Sequence, residues 1–269
     1  MIKKISVDEE KCIHCGLCIE DCVMGIIAFD AQEIPQFTAD GAEKCCSCQH
    51  CMAVCPSGAL SIGGKRPQDS SAVCHGNSED LLQLIKSRRS VRFYRNESVP
   101  SDILDKLVAM LPFVPTGGNA DNLHFSIIAT KEKMEHIRKT TYDTILALPK
   151  PTAIQQRAKE SFLTGKDAIY RRAPSMIVVA IDKSKTIPGC ETADPIIALS
   201  YFELYAQSLG LGTVWCDYAV LVAKQTPEVY SLLEIPANYE LDYIMMFGIP
   251  NIKYSRTIQP EMFNVHLLH

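Results

Sequence analysis

The sequence has no apolar run that reaches the roughly 18–20 residues needed to cross a bilayer as a helix. Its first residues, Met1 to Asp8, become polar too early for a secretory signal peptide. The net charge of −4 gives no whole-chain indication of nucleic-acid binding. We therefore expect a cytoplasmic protein that neither inserts into a membrane nor binds nucleic acid.

Two common glycine-rich nucleotide-binding motifs are also missing. No G-x-G-x-x-G sequence follows a strand-like segment, and no G-x-x-x-x-G-K-[ST] sequence occurs. The sequence therefore predicts neither a Rossmann-type nicotinamide site nor a P-loop. This absence does not exclude NAD(P)H, because flavoenzymes of other folds bind it without a Rossmann motif.

Cysteine, in contrast, is abundant and concentrated near the N-terminus. Nine of the twelve cysteines lie between Cys12 and Cys55. Dense cysteine without an export signal indicates metal binding in a reducing compartment rather than disulfides. Residues 1–63 contain four Lys and Arg against nine Asp and Glu, a net charge of −5, and the rest of the chain is nearly neutral. Composition therefore separates an acidic head, residues 1–63, from a nearly neutral body.

The head contains an internal repeat. The spacing C-x2-C-x2-C-x3-C occurs twice, and every cysteine of the second copy follows its counterpart by 33 residues. In this pattern three thiolates bind one cubane cluster, and the fourth is carried away to bind the other cluster. We therefore predict two [4Fe–4S] clusters, one bound by Cys12, Cys15, Cys18 and Cys55 and the other by Cys45, Cys48, Cys51 and Cys22.

Zinc is the alternative metal for such a segment. Structural zinc takes four ligands, usually as two separated pairs, and eight in-register cysteines do not match that pattern.

Cys46 is out of register and is expected to be a free thiol. The head resembles a dicluster bacterial-type ferredoxin, which implies a small N-terminal ferredoxin-like iron-sulfur domain over residues 1–63.

The body shows helical and strand-like segments in alternation. Residues 64–77 are polar and predict a linker, so we expect a second domain over residues 78–269, with Ser78 as the N-cap of its first helix. Helices interleaved with short buried strands predict an α+β fold, an α/β three-layer sandwich. Helices are expected near Ser78 and Ser101, over 131–147, 152–167 and 194–209, and from Pro227 to Leu233. Strands are expected over Phe125–Thr130, Met176–Ile181, Thr213–Cys216 and Tyr243–Phe247.

A basic segment follows the first predicted helix of the body. Lys86 to Arg95 contains five basic residues in ten. It could form a nucleic-acid patch, or a solvated helix end whose cations favour the C-terminal dipole. It could also form an anion site, in which guanidinium groups and the Ser90 hydroxyl bind phosphate or carbonyl oxygens. The segment alone does not decide between these interpretations.

Four segments, in order, resemble the motifs of the nitroreductase-like FMN enzymes. They are R-R-S-V-R followed by an aromatic residue, Pro115 to Phe125, Gly210 to Asp217, and the G-x-P stretch from Phe247 to Arg256. The resemblance covers residues 78 to about 260. It implies FMN bound between two protomers of a homodimer.

The resemblance also implies roles for individual residues. Asn119, supplied by the partner chain, is expected at the flavin ring, and Cys216 and Asp217 beside N5 through their backbone. Lys253 and Arg256 are expected on the phosphate. The complete set expected to bind FMN is Arg88, Arg89 (mainly through its backbone), Ser90, Arg92, Thr116, Asn119, Cys216, Asp217, Lys253 and Arg256.

Substrate choice does not follow from the resemblance. Asp121, Asn122 and Leu123 replace the usual Q-P-W of the second segment, which alters the wall of the substrate pocket. Trp215, the only tryptophan, could either pack in the core or stack near the flavin. Cys216 is expected to be a small buried apolar residue rather than a redox thiol.

These features together predict an iron-sulfur flavoprotein oxidoreductase. Electrons would pass through two [4Fe–4S] clusters to FMN and on to a small electron-poor acceptor: a nitroaromatic, quinone, flavin or activated alkene. The donor could be a protein such as ferredoxin, and the acidic head would orient docking to a basic face of the donor. Alternatives are an electron-transfer or redox-sensing module, and an NAD(P)H-dependent reductase with the clusters as exit path. Oxygen-sensitive clusters further suggest an anaerobic source.

Overall fold

The computed structural model describes residues 4–261 and 264–268. By their internal contacts the described residues divide into two compact units. The first unit extends to His75 and also includes Gly118–Ala120. The second unit comprises Gly76–Gly117 and the chain from Asp121 onward.

The first unit is built from two copies of one small motif, as the repeat predicts. Left-handed backbone recurs at positions 33 residues apart, because the loops around the cysteines must turn sharply. The paired positions, with φ values between 54° and 76°, are His14 and Ser47, Gly16 and Gln49, and Gly25 and Gly58.

Short strands and helices complete the first unit. Two antiparallel strand pairs, β1 with β4 and β2 with β3, cover a core that includes Ile26, Leu60 and three of the cysteines. The elements are β1 (Ile5–Val7), α1 (Leu17–Glu20), β2 (Ile27–Phe29), β3 (Pro35–Phe37), α2 (Gly41–Lys44), α3 (His50–Ala53) and β4 (Leu60–Ile62).

The second unit contains a four-stranded antiparallel sheet with the strand order β5-β6-β8-β7. Its elements, in chain order, are α4 (Ser78–Ser87), α5 (Ser101–Met110), β5 (Leu123–Ile128), α6 (Lys131–Ala147), α7 (Ala153–Leu163), β6 (Ser175–Ile181), α8 (Ala193–Ser208), β7 (Gly212–Trp215), α9 (Asp217–Gln225), α10 (Pro227–Ser231) and β8 (Glu240–Gly248).

Helices cover both faces of this sheet. Successive residues of β6 point to opposite faces, so Met176 and Val178 enter one core while Ile177 and Val179 enter the other. The first core is closed by α6, α7, α9 and α10, and the second by α5 and α8. The predicted three-layer α+β sandwich is confirmed. None of the described helices is both long and apolar enough to cross a membrane.

Several local predictions need correction. The cap of α4 is Asn77, not Ser78, because the Asn77 side chain accepts the amides of Glu79 and Asp80. The spacing of apolar residues predicts that α4 buries an apolar face and that α5 buries Val108, but no residue of α4 is buried within this chain and Val108 is 51% exposed. The helix α9 was not predicted, because its apolar residues directly follow a strand and give no separate start signal.

Candidate cofactor sites

The eight in-register cysteines form two groups of four in the first unit. Burial raises the pKa of Cys18, and the neighbouring thiols that raise it further are those of Cys55, Cys15 and Cys12. Burial likewise raises the pKa of Cys51 to about 11, and its thiol neighbours are Cys48, Cys45 and Cys22. In each group three cysteines come from one copy of the repeat and the fourth comes from the other copy.

Backbone amides donate hydrogen bonds to two thiols of the first unit. The backbone amide of Ser47 donates to Cys45 Sγ at 3.4 Å, and the amide of Ala59 donates to Cys55 Sγ at 3.3 Å. Burial alone would raise the pKa of Cys55, but bonds from Ser57 and Ala59 lower it below its usual value. Because a metal-binding cysteine must be a thiolate, these donors suit a ligand role.

The arrangement does not match a mononuclear zinc site. Among the described residues, no group of three or more His, Cys, Asp or Glu side chains could hold a single metal ion. Zinc requires four ligands that converge within about 2.3 Å of one ion. A cubane accepts one thiolate at each of four irons, so its ligands surround a larger volume. The thiol groups therefore fit the iron-sulfur prediction better than the zinc alternative.

In the second unit, backbone pairing brings three of the four motif segments together. Ser90 forms a β-bridge with Thr213 of β7, and the Val91 amide donates to the Thr213 carbonyl at 2.8 Å. Close packing at this point requires a glycine in β7, because a Cβ on Gly212 would lie 2.6 Å from the Val91 side chain. The R-R-S-V-R segment therefore lies directly beside the glycine turn and strand.

The terminal G-x-P stretch pairs with the residues that directly follow the R-R-S-V-R segment. The Arg95 amide donates to the Ile249 carbonyl, and the Asn251 amide donates to the Phe93 carbonyl, each at 2.9 Å. The strand β7 also pairs with β8, which leads into the terminal stretch. Residues that are distant in sequence thus meet at one edge of the sheet.

Several positive charges of the R-R-S-V-R segment and the terminal stretch have no carboxylate partner among the described residues. Lys253 and Arg256 are exposed, and no ion pair to them occurs within the described residues. Among the described residues, Arg92 donates to the Ser90 carbonyl alone, at 3.2 Å. Arg89 donates to the Arg88 carbonyl, while its buried Nη2 has no acceptor in the described part of the chain. Guanidinium and ammonium donors without a carboxylate partner fit an anionic group such as the FMN phosphate.

A residue that the sequence prediction missed links two of these segments. Glu203 of α8 has a side chain only 8% exposed. Its Oε1 accepts from Arg88 Nη1 at 3.3 Å and from Thr213 Oγ1 at 3.1 Å, and its Oε2 accepts from Trp215 Nε1 at 3.1 Å. The available signal was the single glutamate in a largely apolar helix, because a buried carboxylate requires partners.

Trp215 and Cys216 both contribute to packing. Trp215 also meets Tyr243 edge-on, with ring centroids 5.1 Å apart, which favours the core-packing interpretation. Cys216 is 7% exposed, and its thiol donates to the Ile169 carbonyl at 3.1 Å. Burial raises the pKa of Cys216 to about 11, so the thiol stays protonated near neutral pH, as expected for a small apolar residue.

Backbone geometry distinguishes Cys216 from Asp217. The Cys216 amide donates to the Ile244 carbonyl at 3.0 Å, so this donor is already used by the sheet. Asp217 is exposed and is the first residue of α9. Of the two residues expected beside flavin N5, Asp217 is therefore the better placed to offer a backbone donor.

The second motif segment, from Pro115 to Phe125 and including Thr116, is anchored by a buried aspartate. Asp194 of α8 accepts from the Gly117 amide and from Asn122 Nδ2, each at 2.9 Å. Asn122, which replaces the usual proline of the family motif, is fully buried. Asn119 belongs to the first unit, where its Nδ2 donates to the Cys46 carbonyl at 2.9 Å.

Comparison with known proteins identifies both parts of the chain. Residues 85–249 match the Nitroreductase family, and residues 11–59 match the 4Fe-4S dicluster domain. A protein of Methanothermobacter thermautotrophicus, named an NADH dehydrogenase/NAD(P)H nitroreductase, is 30% identical over 172 residues, which are 64% of this chain and 78% of that protein. A ferredoxin of Methanocaldococcus jannaschii is 35% identical over 68 residues, 25% of this chain and 88% of that protein.

A solved structure supports the fold assignment. The nitroreductase of Bacteroides fragilis, crystallised with bound FMN, superposes with a TM-score of 0.57 at 20% identity, covering 71% of this chain and 99% of that one. The family match spans more than half of the sequence and includes the sheet edge where the motif segments meet. The chain therefore belongs to the nitroreductase family and carries an N-terminal 4Fe-4S dicluster ferredoxin domain.

Proposed function

We propose that this protein is an FMN-dependent oxidoreductase that receives electrons through two [4Fe–4S] clusters and passes them to a small electron-poor acceptor. The observation that carries this proposal is the convergence of three motif segments, with unpaired cations, at one sheet edge. Clusters transfer one electron at a time, whereas most organic acceptors need two. When bound, FMN supplies the conversion between one-electron and two-electron transfer. The protein supplies the position and the electrostatic environment of the FMN.

The FMN assignment is further supported by the nitroreductase structure that contains FMN. We assign the phosphate to Lys253 and Arg256, because both are exposed cations without a partner among the described residues. Arg88, Ser90 and Arg92 are assigned to the remaining polar groups of the cofactor. FMN content, measured after anaerobic purification and acid release, should be one per chain.

Cluster ligation follows the two groups of thiols. One cluster is assigned to Cys12, Cys15, Cys18 and Cys55, and the other to Cys45, Cys48, Cys51 and Cys22. Anaerobically purified protein should contain about eight irons per chain, since two such clusters hold four each. Cys18→Ser should lose iron, whereas Cys46→Ser, the adjacent out-of-register control, should keep all of it. Stoichiometric zinc without iron would exclude the assignment.

A homodimer is the assembly that the apolar surface of the second unit favours. Ile197, Tyr201 and Tyr205 of α8 are 37–49% exposed and share one helix face. Leu81 and Ile85 of the neighbouring α4 are about half exposed. Contiguous exposed apolar residues on paired helices are typical of a protein interface, so we assign this face to the second protomer.

The electron donor is proposed to be a protein such as ferredoxin. The acidic residues of the head include Glu9, Glu10 and Glu20, which are exposed and have no ion pair among the described residues. Such a surface accelerates the approach of a basic partner, and the effect weakens with salt. Because iron-sulfur clusters are sensitive to oxygen and cysteine-rich metal sites form in reducing compartments, we further propose a cytoplasmic location and an anaerobic source.

NAD(P)H is the second candidate donor, with the clusters as exit path. The name of the Methanothermobacter relative favours it, since that protein is described as an NADH dehydrogenase/NAD(P)H nitroreductase. Anaerobic stopped-flow mixing with reduced ferredoxin, NADH or NADPH separates the two. Under our proposal ferredoxin bleaches the clusters first and the flavin second. Flavin bleaching by NAD(P)H ahead of the clusters would instead support the second candidate.

A further inference from the structure

Glu203 is a buried carboxylate for which the proposed electron path has no direct use. Its side chain is 8% exposed, and it accepts three hydrogen bonds within the second unit. One of these comes from Arg88, whose side chain is 37% exposed and which begins the R-R-S-V-R segment. The pair therefore joins a buried negative charge to a partly exposed positive charge at the proposed FMN site.

The geometry points to Glu203 as the residue that sets the reduction potential of FMN through Arg88. This inference rests on the proposed placement of Arg88 at the flavin. Arg88 uses one Nη1 donor for Glu203 at 3.3 Å, which leaves its other donors to face the cofactor. This hydrogen bond holds the Arg88 guanidinium in position, and the Glu203 carboxylate offsets part of its positive charge.

The sign of the effect follows from the charge of reduced flavin. Reduced flavin is anionic near N1, so a nearby cation raises the potential and a nearby anion lowers it. Arg88 should therefore raise the potential, and Glu203 should lower it by offsetting Arg88. The offset is strong because Glu203 is buried, where charges are weakly screened.

The firm anchoring of Glu203 makes it suitable for this role. Thr213 Oγ1 and Trp215 Nε1 both donate to its carboxylate, and both belong to β7. Gln207, one helical turn further along α8, donates to the Leu84 carbonyl at 2.9 Å and ties the same helix to α4. The carboxylate therefore cannot move away from Arg88 without breaking several contacts.

The test measures the midpoint potential of FMN in the full-length holoprotein. Glu203→Gln should raise the potential, since Gln keeps an acceptor for Arg88 but has no charge. Arg88→Gln should lower it. The double variant Arg88→Gln, Glu203→Gln removes one charge of each sign and should return the potential close to that of the native protein. Loss of a purely structural contact would not give opposite shifts that cancel.

Thr213→Val is the matched control. It removes a neighbouring hydrogen bond to the same carboxylate but leaves both charges, so it should change thermal stability without shifting the potential. If Arg88→Gln shifts the potential but Glu203→Gln does not, the inference about Glu203 is wrong while the FMN site stands. If neither variant shifts it, Arg88 is not at the flavin. If Glu203→Gln loses FMN while Thr213→Val retains it, Glu203 is a structural support instead.

Discussion

Among single residues, Arg256 offers the sharpest test of the phosphate assignment. It is exposed and has no carboxylate partner in the described part of the chain. Arg256→Ala should weaken FMN binding by roughly 1.5–3 kcal/mol, the range for a hydrogen bond to a charged group. Riboflavin, which lacks the phosphate, should bind almost as before. Fluorescence titration of the apoprotein with both ligands measures the difference.

Arg95→Ala is the control for this measurement. Arg95 lies in the same basic region but already pairs with Glu97 at 3.5 Å, so its loss should affect FMN and riboflavin little. If Arg256→Ala weakens both ligands equally, Arg256 supports the fold of the terminal stretch and does not bind phosphate.

Sequence motifs identified some residues of the site and missed others for a physical reason. Arg88 belongs to a local run that a motif can capture. Glu203 is 115 residues away, and only the packing of α8 against β7 and the end of α4 brings it to Arg88. Asp194 was missed for the same reason, since its partners Gly117 and Asn122 are more than 70 residues away.

At the scale of secondary-structure elements, the contact between β7 and the R-R-S-V-R segment depends on Gly212. A Cβ there would lie 2.6 Å from Val91, so Gly212→Ala should overpack this contact. We expect a loss of about 1–3 kcal/mol in unfolding free energy, measured by denaturant titration. Val91→Ala should make room for the added methyl group.

A double-mutant cycle therefore checks the contact directly. Gly212→Ala combined with Val91→Ala should cost less than the two single costs added together, because the two sites share one space. Strictly additive costs would contradict the proposed steric coupling and place the effect of Gly212 elsewhere.

The exposed face of α4 and α8 gives a second prediction at this scale. Ile85→Glu places a charge on the apolar face, and a charge buried in an interface without a partner is strongly unfavourable. We expect the proposed dimer to dissociate, as measured by light scattering after size-exclusion chromatography, with loss of FMN. Leu163→Glu is the control, because Leu163 is 68% exposed at the end of α7. A dimeric Ile85→Glu protein would require a different interface.

For the whole molecule, the main prediction concerns the separate roles of the two domains. A truncated chain that begins at Gly76 keeps the Asn77 cap of α4 and removes both cluster sites. It should remain an FMN-loaded dimer, because the core of the second unit is built from its own residues. Turnover with dithionite as the reductant should persist, and turnover with reduced ferredoxin should largely disappear.

The full-length protein with the Cys18→Ser substitution serves as the comparison, since it keeps the head but should lose a cluster. Both proteins should be slow with ferredoxin and active with dithionite. Ferredoxin-driven turnover that survives truncation would mean that the donor reaches FMN directly, and that the head has another role.

The sequence by itself determined the features that depend on the spacing of residues within short segments. The 33-residue repeat predicted two similar cysteine motifs, and the ordered motifs with alternating helices and strands predicted the family and the three-layer fold. These are short-range patterns, fixed by backbone periodicity and by the turns around each cysteine.

Only the tertiary structure decided how distant segments combine. It joined β7 and the terminal stretch to the basic segment and brought Glu203 into contact with Arg88. It also left the apolar face of α4 exposed, which the periodicity of that helix could not distinguish from core. Burial and charge pairing depend on which elements pack together, and that packing is not contained in any single segment.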